Sequence, residues 1–281
     1  MTQKLFFDSH AHIDYDYSAE ERRALIEHIE ASPVAFVLDV GFDLPSSRRA
    51  VQDAQKYAWC YAAIGVHPHD AETYTDEAEA ELKHLAEGEG KVVAIGEIGL
   101  DYYRDLSPRD SQREAFRRQI RLALALGLPM TIHDRDSGDD TIRILREEGA
   151  VSDARRALFP PNPETGVPDA RVLLHCFSGS AGQALEYIAL GMTISIAGPV
   201  TYKNNKKTVL VAEQAPLAHL LIETDAPYLT PEPLRGQPNE SVNVQYVAQK
   251  IAEIKGLPVE DVARATCENA RRFFGIESNT A

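Results

Sequence analysis

The chain has 281 residues, 44% hydrophobic and 26% charged, with a formal net charge of −14. The length fits one large domain or two ordinary ones, and the composition is that of a globular protein with a substantial core. The acidic balance argues against a protein that coats nucleic acid with its whole surface, and leaves room for a local basic patch. No apolar run reaches the roughly 18 residues needed to span a bilayer, and no secretory leader is recognisable. Cys60, Cys176 and Cys267 are far apart and odd in number, which fits a reducing cytoplasm better than a disulfide framework.

The first predicted strand, 4–12, ends in Asp8-Ser9-His10-Ala11-His12. Side chains alternate along a strand, so His10 and His12 point the same way and can take a divalent cation together. An amphipathic helix follows over 18–30, with Ser18 three residues ahead of Glu21 in capping-box spacing. Strands at 34–41, 61–67, 92–100 and 129–133 alternate with helices at 46–57, 75–86, 109–126 and 139–148. Residues 159–168 are rich in Pro and Gly and read as an irregular loop. Strands at 172–177, 192–198 and 220–225 then alternate with helices at 181–190, 207–214 and 242–255, and a last helix, 259–274, stops at Gly275.

Several of these strands are near-continuous in apolar residues, as strands covered on both faces should be. Strict alternation of strand and helix implies parallel strands with helices outside. Eight such units are the arithmetic of an α/β fold of the (β/α)8 TIM-barrel type, here with an extra C-terminal helix. A doubly wound open sheet is the competitor, but its Gly-x-Gly-x-x-Gly fingerprint does not follow the first strand. We expect a single domain over 1–276 and a short tail over 277–281.

The barrel makes a demanding prediction: polar site residues should stand at the C-terminal ends of strands. His10 and His12 end the first, Glu97 ends the fourth, His133 ends the fifth, His175 ends the sixth and Asp225 ends the eighth. Buried charge is costly unless paired or bound to metal. Four histidines and two carboxylates exceed what one four-coordinate ion with an open position needs. They suit two divalent ions, with Glu97 as the natural bridge. His28, His84 and His219 fall within helices or at the opposite end of a strand and are assigned to structure, as are the three cysteines.

Taken together, Asp8–His12, Gly65-Val66-His67-Pro68-His69, Gly96–Asp101, His133 with Arg135, His175–Gly179, Glu223–Pro227 and Glu268–Phe274 resemble the TatD family of metal-dependent deoxyribonucleases, within the wider amidohydrolase-like barrels. The likeness runs from Phe7 to about Gly275. It implies that His10, His12 and Asp225 hold one metal, that His133 and His175 hold the second, and that Glu97 is shared. It also implies a 3′-5′ exonuclease type of DNase, usually Mg-dependent, while the His and carboxylate set itself suits Mg, Mn or Zn. This chain departs from the family at His133-Asp134-Arg135-Asp136, where Asp136 adds a negative charge near the site, and at Arg235–Ser241, where Ser replaces Pro.

The expected reaction is phosphodiester hydrolysis by a metal-activated water. Asp225 and Glu97 are the expected catalytic pair, with Asp225 placed to ligate and to take the proton. His67 and His69 end the third strand and are candidates for phosphate contact or for support of the ligands. Lys203 and Lys206, in the loop after the seventh strand, together with Arg135 and Arg235, are candidates to grip a nucleic acid, DNA first. The alternative is hydrolysis of an amide, lactone or aminoacyl ester such as aminoacyl-tRNA. Relatives that cleave C–N bonds often carry a modified lysine on the fourth strand, where this chain has Glu97. A binding protein without activity is disfavoured by the complete ligand set. No membrane or obligate protein partner is expected, and the chain is read as a cytoplasmic monomer.

Overall fold

The computed structural model describes residues 4–13, 17–88 and 91–276; the expected tail at 277–281 lies outside the described residues. In chain order, β1 (Phe6–Ala11) precedes α1 (Ala19–Ala31), and β2 (Val34–Val40) precedes α2 (Leu44–Lys56). Next, β3 (Cys60–Ile64) leads through a 3-10 turn (Pro68–Thr73) to α3 (Asp76–Glu87), and β4 (Val92–Asp101) leads to α4 (Arg109–Leu126). Then β5 (Met130–Arg135) is followed by α5 (Gly138–Glu147) and the short α6 (Asp153–Arg156). The last strands are β6 (Val172–Leu174), before α7 (Ala181–Ala189), and β7 (Thr193–Ile196), before α8 (Lys206–Gln214). Finally β8 (Leu220–Ile222) precedes α9 (Val244–Lys255) and α10 (Val259–Phe274).

The strands make one eight-stranded sheet in sequence order, and β1 also meets the β8 side through a parallel bridge, Ala11 to Ala226. This is the (β/α)8 barrel, and α10 is the extra helix. The expected caps are present: Ser18 and Glu21 form a capping box on α1, and left-handed Gly275 ends α10. The loop at 159–168 closes on itself, with an antiparallel bridge from Pro161 to Pro168 and the Asn162 side chain accepting from Glu164 N.

Packing gathers the chain into two compact units. One comprises the described parts of Met1–Asp39, Cys176–Glu186 and Ile194–Ala281. In it Phe7 packs on Phe36 and Phe274, with ring centres 5.6 and 5.8 Å apart. Asn269 of α10 donates to the carbonyls of Leu217 and Leu220, which ties that helix to the start of β8. The other unit comprises the described parts of Val40–His175 and Tyr187–Thr193. There Gln119 of α4 exchanges hydrogen bonds with both backbone groups of Val66, and Ser47 of α2 does so with Gly65.

Strands β6 and β8 stop earlier than the apolar runs predict. Cys176 and Asp225 take left-handed conformations, φ 44° and 55°, which end the extended backbone. Their neighbours hold them there. The Cys176 N–H donates to Glu223 Oε1 at 2.6 Å, and the Asp225 N–H donates to the His10 carbonyl at 2.9 Å.

Candidate metal centre

In the first unit, β1 carries His10, and His12 follows the strand with its N–H on the Ala226 carbonyl at 2.8 Å. Both imidazoles are buried, and their Nε2 atoms lie 3.9 and 3.7 Å from Asp225 Oδ1. One donor atom from each of His10, His12 and Asp225 falls within 4.8 Å of the others. Asp8, two residues before His10 on β1, is fully buried. Its carboxylate accepts from Thr224 N at 2.8 Å and Thr224 Oγ1 at 2.6 Å, next to Asp225. Burial pushes the Asp8 carboxyl up to about 7, against the lowering pull of these hydrogen bonds. Glu223, also buried, accepts from Ser195 Oγ at 2.5 Å.

In the second unit Glu97 lies where the register of β4 on β5 shifts, between Ile95 and Ile98. Its flanking glycines allow that approach. A Cβ on Gly96 would stand 2.0 Å from Thr131 Cγ2, and one on Gly99 would stand 2.0 Å from the His133 carbonyl oxygen. Glu97 Oε1 lies 2.8 Å from both His133 Nδ1 and His175 Nε2, and 3.5 Å from His67 Nε2. Donor atoms of His67, Glu97 and His133 all fall within 4.8 Å of one another. Pro68 opens a 3-10 turn directly after His67, and the His67 ring itself accepts from His69 N at 3.1 Å.

Asp101, at the end of β4, is a member of this cluster that the sequence pattern does not single out. Its Oδ2 lies 2.8 Å from His69 Nε2 and 3.3 Å from His133 Nε2. Burial works against the charged form of Asp101, but hydrogen bonds from His133, the Arg104 backbone and His69 hold it well below the usual carboxylate range. Burial equally opposes a charged His133, and the Asp101 and Glu97 carboxylates outweigh it and raise that imidazole. His67 is held well below its ordinary value, first by burial.

The basic candidates are placed differently. Arg135 and Arg235 are exposed, and their guanidinium carbons sit over tyrosine rings, 4.1 Å from the centre of Tyr103 and 4.0 Å from that of Tyr202. Lys203 and Lys206 line a shallow cleft of about 310 Å³ with Leu210 and Glu213. That cleft follows the face of α8 opposite its buried Thr208, Val211 and Ala212. His28 is exposed and pairs with Glu240 at 3.0 Å, His84 is exposed, and His219 is buried before β8.

Imidazole nitrogens and carboxylate oxygens at these spacings are the donor set of borderline and hard divalent ions. Groups of this kind on the strands of a (β/α)8 barrel, and just beyond them, could hold a divalent ion, the arrangement of a metal-dependent barrel enzyme. The model of the family described as TatD related DNase matches residues 7–275, and the chain belongs to that family. An uncharacterized metal-dependent hydrolase, YabD of Bacillus subtilis, is 44% identical over 272 residues, 97% of this chain and 100% of its own length. A 3′-5′ ssDNA/RNA exonuclease, TatD of Cronobacter turicensis, is 37% identical, covering 95% of this chain and 97% of its own. The crystal structure of YJJV, a TatD homolog from Escherichia coli, superposes with a TM-score of 0.85 at 29% identity, over 99% of this chain and 100% of that one.

Proposed function

We propose that this hydrolase cleaves phosphodiester bonds in nucleic acid, DNA first, as a 3′-5′ exonuclease working with two divalent ions. The observation that carries the reading is Glu97 Oε1, which has His133 Nδ1 and His175 Nε2 at 2.8 Å. A carboxylate faced by imidazoles on the fourth strand suits a shared ligand. The relative from Cronobacter, named for single-stranded DNA and RNA, supports the substrate class.

In this reading His10, His12 and Asp225 would hold one ion and His133 and His175, with His67 beside them, the other, Glu97 being the expected shared ligand. Divalent ions so held, whether Mg, Mn or Zn, would polarise the phosphoryl oxygens and acidify a water. Asp225 would be placed to accept the proton of that water. Asp101 orients His133 and His69. Arg135, Arg235, Lys203 and Lys206 pair with phosphates of the strand. Domain 1–276 acts as one monomeric unit in the cytoplasm, where Cys60, Cys176 and Cys267, thiols outside any disulfide, stay reduced. No helix among the described residues is long and apolar enough to cross a membrane.

The test is an assay panel. Protein loaded with Mg, Mn or Zn is offered single-stranded DNA, duplex DNA, RNA, aminoacyl-tRNA and small lactones. Metal-dependent shortening of DNA from the 3′ end, absent in Glu97→Ala, is the expected result. Turnover of aminoacyl-tRNA or lactones with intact nucleic acid would overturn the proposal in favour of the acyl-transfer alternative.

A further inference from the structure

Tyr103 is 63% exposed, unusual for a large aromatic residue so close to a buried cluster. Its backbone is not loose. The Tyr103 and Arg104 N–H groups donate to Asp101 Oδ1 at 3.0 and 2.8 Å, and the other oxygen of that carboxylate takes His69 and His133. The Tyr102 N–H donates to the Arg135 carbonyl at 2.9 Å, which continues the β4–β5 ladder past Asp101. Two side chains on this fixed backbone then meet in the open, with the Arg135 guanidinium 4.1 Å above the centre of the Tyr103 ring.

A guanidinium stacked on a ring keeps its N–H donors at its edges, free to fork onto a phosphate. An exposed ring offers a π-face, and every nucleobase has a matching one. From this arrangement we propose that Tyr103 and Arg135 form a nucleotide subsite, in which the Tyr103 ring stacks a base while Arg135 pairs with a neighbouring phosphate. The inference rests on the phosphodiesterase reading and adds how the strand is chosen. Stacking is sequence-tolerant but needs an unstacked base, so the subsite selects single-stranded ends without reading sequence.

The experiment compares kcat/KM for a single-stranded oligonucleotide with that for the same oligonucleotide lacking the bases of its last two 3′ nucleotides. Wild-type protein is expected to prefer the base-bearing end by roughly tenfold or more. Tyr103→Ala should bring that ratio close to one, and Tyr103→Trp should keep it. Arg135→Ala should slow both substrates, keep much of the ratio and weaken the salt dependence. An unchanged ratio in Tyr103→Ala, or none in wild type, overturns the subsite while leaving the nuclease reading intact. If wild type cuts neither substrate, the nuclease reading fails, and fluorescence of 2-aminopurine in the bound oligonucleotide decides the stacking. Quenching that Tyr103→Ala abolishes upholds the subsite, and quenching that it leaves untouched overturns it.

Discussion

Nε2 of His133 lies 3.3 Å from Asp101 Oδ2, while Nδ1 of the same ring lies 2.8 Å from Glu97 Oε1. The imidazole is thus held at both edges by carboxylates. If Nε2 carries the hydrogen donated to Asp101, Nδ1 presents its lone pair to the Glu97 side, the tautomer a metal ligand needs. Asp101→Ala is therefore expected to lower metal affinity or turnover by about 10- to 100-fold, the usual effect of losing an orienting partner. Titration of the metal by calorimetry, beside circular dichroism to confirm the fold, checks it. Wild-type affinity in the variant would show that Asp101 does not position His133.

Removing the metal should act on stability as well as on activity. A ligand that binds only the folded state stabilises it by about 2.7 kcal/mol at a hundredfold excess over Kd. Thermal unfolding with and without a chelator should show a clear upward shift in Tm on adding Mn or Mg back. His10→Ala removes a donor from the group it forms with His12 and Asp225. The variant should fold, lose hydrolysis and lose much of that shift. Retained hydrolysis would remove His10 from the ligand set.

The clustered histidines and carboxylates are legible because strand periodicity and barrel arithmetic both speak through sequence. His10 lies on β1 with His12 one residue past it, and His133 and Asp225 follow apolar runs, whereas Glu97 stands inside β4 rather than at its expected end. What escapes is decided by local backbone. Pro68 opens a 3-10 turn, and His67 comes to lie 3.5 Å from Glu97, where the sequence places it only on the rim. Asp101 stands one residue past the apolar run, but β4 continues to include it. Its role depends on a pairing with His69 across a separation of 32 residues, which no local pattern encodes. Cys176 is expected to continue a strand, and a left-handed turn held by Glu223 ends it instead.

Asp8 illustrates a buried carboxylate that holds backbone in place. It accepts from Thr224 N and Thr224 Oγ1, and so joins the start of β1 to the segment after β8. Asp8→Ala strands both donors in a buried site, at a cost of about 1–3 kcal/mol for each group left unsatisfied. Urea unfolding should show a lower midpoint with an unchanged slope. Asp8→Asn keeps an acceptor and should be milder. Equal stability of Asp8→Ala and wild type would deny the clamp.

Salt dependence separates the basic candidates. Removing one side chain that neutralises a phosphate should reduce the magnitude of the slope of log K against log salt by about 0.7 on a single strand. Arg235→Ala should show this. Lys203→Ala combined with Lys206→Ala should weaken turnover and flatten the slope if the strand reaches the outer face of α8. Kinetics unchanged across a salt series would confine the substrate to the arginines.

Stability against pH, measured without metal, sets two buried groups against each other. Burial, helped by nearby Arg272, lowers His219 from 6.5 to about 4. The unfolded chain then binds more protons between those values, so this group's contribution is complete above pH 6.5 and is lost as pH falls through 4. Asp8 runs the other way. Its carboxyl, raised from 3.8 to about 7, keeps a proton in the folded state that the unfolded chain releases. Its contribution is present below 3.8 and is lost as pH rises through 7. His219→Gln should therefore flatten the acid limb of the stability curve, and Asp8→Asn should flatten the decline toward neutrality. Urea midpoints for both variants at pH 4.5, 6 and about 7.5 would test the assignment. Parallel displacement of the whole curve by either substitution would show that the titrating group lies elsewhere.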